Sequence, residues 1–136
     1  MKFNKLIPEL SISDFKKSLK FYTEILGFKI EYKRDEDKFA MLSFQKSQIM
    51  IEEINGHWRT GKLEYPFGRG INFQIEVNSI EPILKTLKQN NYPIFVKPQE
   101  NWYRKNNQLL GNKEFLVKDP NGYLLRFTED LGTKPL

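Results

Sequence analysis

Residues 14–26, DFKKSLKFYTEIL, place Phe15, Leu19, Tyr22 and Leu26 at the spacing of one helical face, with Asp14 as a candidate N-cap and Gly27 just past the last turn. Ahead of them Leu6, Pro8, Leu10 and Ile12 alternate as a strand does, and FKIEY, KFAMLSF and SQIMIEE supply three more strand candidates. The order then recurs. INFQIEV (71–77) alternates, and residues 79–90 set Ile80, Ile83, Leu84 and Leu87 at helical spacing behind a candidate capping box of Asn78 and Glu81. YPIFV, KEFLVKD and GYLLRF follow as strands. Sliding the chain by 65 residues lays Ile7-Pro8-Glu9-Leu10 onto Asn72-Phe73-Gln74-Ile75 and Leu19 onto Leu84. The pattern predicts an α+β fold in one domain, residues 1–136, built by duplicating a βαβββ unit. The first module is expected over 1–54, a linker loop over 55–69 and the second module over 70–136.

Residues 54–70 and 100–112 break the symmetry. Each contains a tryptophan, Trp58 and Trp102, and neither shows a clear period, so both are expected as loops able to fold over a site. The all-apolar rows, Leu6/Pro8/Leu10/Ile12, Ile49/Ile51, Ile71/Phe73/Ile75/Val77 and Tyr123/Leu125/Phe127, are expected beneath the helices. The other side of the same strands carries Ile7, Glu9, Gln48, Met50, Glu52, Asn72, Gln74, Glu76, Leu124 and Arg126. That mixture of apolar and polar groups has the character of a small-molecule site. Arg126 is the conspicuous member, a permanent cation inside Tyr123-Leu124-Leu125-Arg126-Phe127. Such a charge needs a partner or a ligand, and Glu52 is the expected partner.

Composition narrows the chemistry. With no cysteine there is no thiol catalysis, no disulfide and no cysteine-based zinc site. His57 is the single histidine, too little for a histidine metal site or a Ser-His-Asp triad, and reads as loop surface. The charge of +5 comes from scattered lysines such as Lys16, Lys17, Lys85 and Lys88 on outer helix faces, so nucleic acid is not the expected partner. No apolar run reaches the length of a membrane span and MKFNKLIPEL has no signal-peptide core, so a cytoplasmic protein without membrane contact is expected. Gly68-Arg69-Gly70 precedes a strand and does not make a phosphate loop.

The stretches IPELSISDFKKSLKFYTEILGF (7–28), IMIEE (49–53) and FLVKDPNGYLLRF (115–127) resemble the vicinal oxygen chelate superfamily of glyoxalases, extradiol dioxygenases, and fosfomycin- and bleomycin-resistance proteins. The most specific parts are the Asp14, Ser18, Phe21, Tyr22, Leu26, Gly27, Phe28 pattern and the late Asp-Pro-x-Gly turn. The resemblance implies two βαβββ modules whose mixed sheets curl into a cup, helices outside and ligand within. The metal-ligand positions of its metal-dependent members fall on Ile7, Glu52, Asn72 and Arg126, of which only Glu52 is an ordinary ligand. The Leu124-Leu125-Arg126 ending resembles the bleomycin-resistance branch, whose members bind drug without a metal and act by sequestration as dimers. This chain is basic where that branch's drug binders tend to be acidic.

The expected protein is thus a homodimer that binds an aromatic antibiotic or metabolite and leaves it unchanged, with no metal and no cofactor. Ile7, Met50, Glu52, Trp58, Asn72, Gln74, Trp102, Leu124 and Arg126 are its candidate ligand contacts, Arg126 offering a planar fork suited to a carboxylate or to stacking. The alternative is a glyoxalase-like lyase, isomerase or transferase with an atypical metal site.

Overall fold

In the computed structural model, which describes residues 2–136, the elements run β1 (Glu9–Ile12), α1 (Phe15–Lys20), β2 (Lys29–Arg34), β3 (Phe39–Phe44), β4 (Ser47–Glu53), β5 (Asn72–Glu76), α2 (Glu81–Gln89), β6 (Val96–Lys105), β7 (Gln108–Lys118) and β8 (Leu124–Pro135). They form two four-stranded mixed sheets in the orders β1-β4-β3-β2 and β5-β8-β7-β6. In each, the first strand runs parallel to the last and the remaining pairs are antiparallel. This is the α+β, twice-βαβββ order that the duplicated pattern predicts. The chain divides into two compact units: residues 1–67 with 119–122, and residues 68–118 with 123–136.

In the first unit Leu10, Ile12, Ala40, Leu42, Ile49 and Ile51 are buried on one side of the sheet. Asp14 caps α1 by accepting from the Lys17 amide at 3.1 Å. After Lys20 the helix widens into a π turn over Phe21–Ile25, with the Leu26 amide donating to the Phe21 carbonyl at 3.0 Å. Glu53 of β4 adds a second tie to the helix start, its Oε2 accepting from the Phe15 amide at 3.0 Å. The Asp-Pro-Asn-Gly turn belongs to this unit although it lies late in sequence. Buried Tyr22 donates its hydroxyl to Asp119 Oδ2 at 2.7 Å, and Asn121 exchanges hydrogen bonds with Ser13. The two halves of the sequence signature therefore hold each other. Gly122, at φ +92°, lies so close to Pro66 that an added Cβ would stand 2.6 Å from its Cα, which explains the glycine.

The second unit buries Ile75, Val77, Phe115, Val117, Leu125 and Phe127 on its strands and Ile83 and Leu87 on α2, with Phe115 and Phe127 stacked at 5.5 Å. Four expectations need correction here and in the first unit. Residues 100–112 are not a loop: they are the ends of β6 and β7, a long hairpin that β8 extends to Pro135. The aromatic and amide residues of this segment pair across strands, and their alternation was masked by its many polar groups. The Asn78–Glu81 capping box does not form, because the Glu81 amide takes Ser79 Oγ and the Ile80 amide is met by Glu129. Leu6 and Ile71 are exposed rather than beneath a helix, both lying outside the strands. Of YPIFV only Val96 enters β6.

Candidate functional site

Strand register places Arg126 beside Gln74 on β5 and Leu116 on β7, and Glu114 beside Thr128 and Gln99. Cross-strand partners point to the same side, so these residues share the face opposite the apolar core. On that face Asn72, Gln99, Asn101, Tyr103, Glu114, Leu116 and Arg126 line a cleft of about 260 Å³.

Glu114 is the buried centre, only 3% exposed. Its Oε2 accepts from Asn101 Nδ2 at 2.8 Å and from the Tyr103 hydroxyl. Its Oε1 lies 3.6 Å from Arg126 Nη1, an ion pair without a hydrogen bond. Glu114 Oε1 and Arg126 Nε, both shielded from solvent, have no hydrogen-bond partner within the protein. Binding of its proton by the Glu114 carboxylate, helped by partial burial, pushes the Tyr103 phenol above its ordinary pKa, so the ring stays neutral through the physiological range. Arg126 keeps part of its side chain open to the cleft, 30% exposed. The arrangement presents a guanidinium tethered from below, side-chain amides for hydrogen bonding, and Leu116 with the Tyr103 ring for apolar contact.

Of the predicted residues, the structure brings Asn72 and Arg126 into this cleft. Gln74 is exposed next to Arg126, and Leu124 is half-buried opposite Asn72. Trp102 stands on β6, where alternation turns it away from its neighbours Asn101 and Tyr103. Its ring lies against Gly111, carries Lys134 Nζ 3.9 Å from its centroid, and donates to Glu100 at 3.0 Å. The remaining four belong to the first unit. Ile7 is half-buried just ahead of β1, and Met50 is half-buried on β4 between Glu9 and Met41. Glu52 accepts from Asn55 Nδ2 at 2.9 Å and, with Trp58, lines a polar cavity of about 500 Å³ that also includes Lys38, Glu53 and His57. Trp58 is 84% exposed at φ +60°. Burial, followed by the nearby Glu52 charge, raises the pKa of Glu9 on the same sheet.

The partner expected for Arg126 was Glu52; its ion-pair partner is Glu114. Glu114, Tyr103, Asn101, Gln99 and Leu116 are the site residues that sequence reading missed. The signal available was alternation through ENWYRK and KEFLVKD, which puts Asn101, Tyr103, Glu114 and Leu116 on the polar side of their strands once the turn is set at Asn106-Asn107.

The four positions at which the superfamily resemblance would seat a metal do not fit a divalent ion. Ile7 offers no donor, Asn72 offers one amide oxygen, and Arg126 is a cation already paired with Glu114. Glu52 is left as the single carboxylate, and among the described residues no three of His, Cys, Asp and Glu are grouped to hold an ion.

Comparison with known proteins agrees with this fold. The chain is 27% identical over 134 residues to a bleomycin resistance protein of Geobacillus stearothermophilus, covering 92% of this chain and 96% of that one. It is 28% identical over 129 residues to a probable lactoylglutathione lyase of Vibrio parahaemolyticus, covering 89% and 86%. Among solved structures, TioX from Micromonospora sp. ML1 has the same fold at a TM-score of 0.73 and 15% identity, over 95% of this chain and 100% of that one. Among the described residues no helix is long and apolar enough to cross a membrane. Residues 8–127 match the Glyoxalase/Bleomycin resistance protein/Dioxygenase superfamily, and the chain belongs to it.

Proposed function

We propose that this protein binds an aromatic small molecule bearing a polar group, holds it without a metal, and releases it unchanged, so that it acts by sequestration. The observation that carries this reading is the Arg126–Glu114 pair. A guanidinium, neutralised from beneath, occupies a position where metal-dependent members of the superfamily have a ligand, and the surrounding residues offer hydrogen bonds but no second cation ligand. The 27% identity to bleomycin resistance proteins supports the same branch. In this reading Asn72, Gln74, Leu124 and Arg126 contact the ligand from the second sheet, together with Tyr103, whose ring offers stacking worth about 1 kcal/mol. On the first unit, taken by itself, Ile7, Met50, Glu52 and Trp58 are further candidate ligand contacts, and two copies associate to cover the edge strands β2 and β6.

The test has two parts. Protein purified without chelator is expected to contain no stoichiometric Zn, Ni, Mn or Fe by elemental analysis. It is expected to bind an aromatic antibiotic or metabolite reversibly and return it chemically intact by mass spectrometry. Turnover of the methylglyoxal–glutathione adduct above background, abolished by chelation, would transfer the protein to the lyase reading that its 28% identity to a probable lactoylglutathione lyase also allows. Sedimentation checks the association: a mass independent of concentration and equal to one 16.2 kDa chain would refute the dimer.

A further inference from the structure

We infer that the cleft on the second sheet selects an uncharged carboxamide, or the equivalent edge of a lactam or carbamoyl group, against both carboxylates and cations. This rests on the proposal that the cleft binds a small molecule, and adds which chemical group it takes. Three observations carry it.

The first is charge. The residues lining the cleft include one cation, Arg126, and one anion, Glu114, so the site is neutral before a ligand arrives. Glu114 is 3% exposed and cannot swing into solvent to make way for an incoming carboxylate. A ligand carboxylate beside Arg126 would gain one cation but would also face a buried like charge, and it would lose its hydration. A ligand cation would gain Glu114 and face Arg126 with the same result. The chain's overall +5 charge does not alter this choice, because it is scattered over the surface and screened beyond about 8–10 Å in salt.

The second is hydrogen-bond capacity. Arg126 Nε and Glu114 Oε1 are a donor and an acceptor, both without partners, and the residues that carry them approach to 3.6 Å at Arg126 Nη1 and Glu114 Oε1. Both atoms are closed to solvent and so to a ligand; what a ligand meets is the part of the Arg126 side chain that stays open to the cleft, 30% exposed. A carboxamide supplies, from one planar unit, a carbonyl for that open guanidinium and an N–H for an acceptor beside it. A ketone or ester supplies the first and leaves the acceptor unmet.

The third comes from Asn101. Its Nδ2 donates to Glu114 Oε2 at 2.8 Å and to Gln99 Oε1 at 3.4 Å, which uses both of its N–H groups. Its orientation is thereby fixed, with Oδ1 left as that acceptor for a ligand N–H. The cleft, at about 260 Å³, is just under the usual range of roughly 300–1,000 Å³ for a whole drug-sized ligand, in keeping with recognition of one polar group and the ring that bears it.

Three probes of one shape separate the possibilities: benzamide, benzoate and benzamidinium. Each is titrated into the full-length protein while the side-chain amide signals of Asn72, Gln99 and Asn101 and the Nε–H signal of Arg126 are followed by NMR. Benzamide is expected to shift these signals and to bind at least about tenfold more tightly than either ion, the scale of one like-charge contact. In Glu114→Gln, which removes the buried charge and keeps the shape, benzoate is expected to gain at least about tenfold and to overtake benzamide. In Arg126→Gln, benzamide binding is expected to fall and benzoate to gain nothing. The wild-type ranking alone decides the matter should either variant fail to fold. Benzoate or benzamidinium binding at the cleft as tightly as benzamide would overturn the inference and leave the binding reading standing. No shift at the cleft signals with any of the three would overturn both.

Discussion

Glu52 on β4 and Glu114 on β7 are strand carboxylates on the sides of their sheets that face away from the helices, yet they live in different surroundings. Glu52 is half-buried, is met by the loop residue Asn55, and shares its sheet with Glu9, whose pKa is raised by burial and by the Glu52 charge. Glu114 is almost wholly enclosed and gathers a phenol, an amide and a guanidinium around it. The difference comes from the strands. The hairpin of β3 and β4 spans Phe39–Glu53 with strands of six and seven residues, whereas β6, β7 and β8 run to ten, eleven and twelve. The longer strands put Asn101 and Tyr103 next to Glu114, where a shorter hairpin would end. In one sheet a carboxylate decorates a surface; in the other the same residue type organises a site.

The comparison breaks first at Glu114. Glu114→Ala strips the partner from a largely enclosed guanidinium and the acceptor from Tyr103 and Asn101, so it is expected to cost on the order of 3 kcal/mol in denaturant unfolding. Glu52→Ala removes one exposed contact and relieves Glu9, so a change within about 0.5 kcal/mol is expected. Equal losses for the two would show that burial in the second sheet has no special weight.

Tyr103→Phe tests the hydrogen bond to the buried charge by itself. A loss of about 1.5 kcal/mol is expected, as for a hydrogen bond to an ionised group, and a neutral outcome by thermal unfolding would mean that water replaces the hydroxyl without cost.

Gly111→Ala probes the other side of the same hairpin. An added Cβ would stand 2.5 Å from the Trp102 ring, so the ring must swing out from under Lys134. Tryptophan emission is expected to shift to the red with a stability loss of about 1 kcal/mol, and an unchanged spectrum would refute this packing.

The smallest effect belongs to the first unit and to acid. The Phe15 amide, and next to it Lys38, hold the Glu53 carboxyl below its ordinary pKa. Stability from a lowered carboxyl is complete above the unfolded value, near 4.3 for glutamate, and drains away as pH falls through the lower folded value. Glu53→Gln is therefore expected to flatten the acid limb of a stability–pH curve below about pH 4 while leaving it unaltered near neutrality, apart from a constant offset.

The fold was legible wherever periodicity and burial coincide. Phe15, Tyr22 and Leu26, or Ile75 and Val77, are apolar at the spacing of their element because each faces a core, and such positions show in a single sequence. The site was legible only in part. Arg126 stood out because a permanent charge in an apolar strand is costly, and Asn72 followed from strand alternation and the superfamily resemblance. Glu114 did not, because KEFLVKD reads as a strand with an ordinary charged edge, and Trp102 drew attention in a segment that looked irregular and proved to be strand.

What the sequence determined by itself was the duplicated βαβββ order, the sides of the strands, and the capped helix beginning at Asp14, all products of local periodicity and short-range hydrogen bonds. The partner of Arg126 was decided by the tertiary structure. Arg126 and Glu114 are brought together by the antiparallel register of β7 with β8, which sets Glu114 beside Thr128 and Leu116 beside Arg126. A one-residue slip of that pairing would turn Glu114 into the apolar core and Phe115 out of it. The burial of Phe115 and Phe127 therefore selects the register, and the register in turn selects the charge that Arg126 meets.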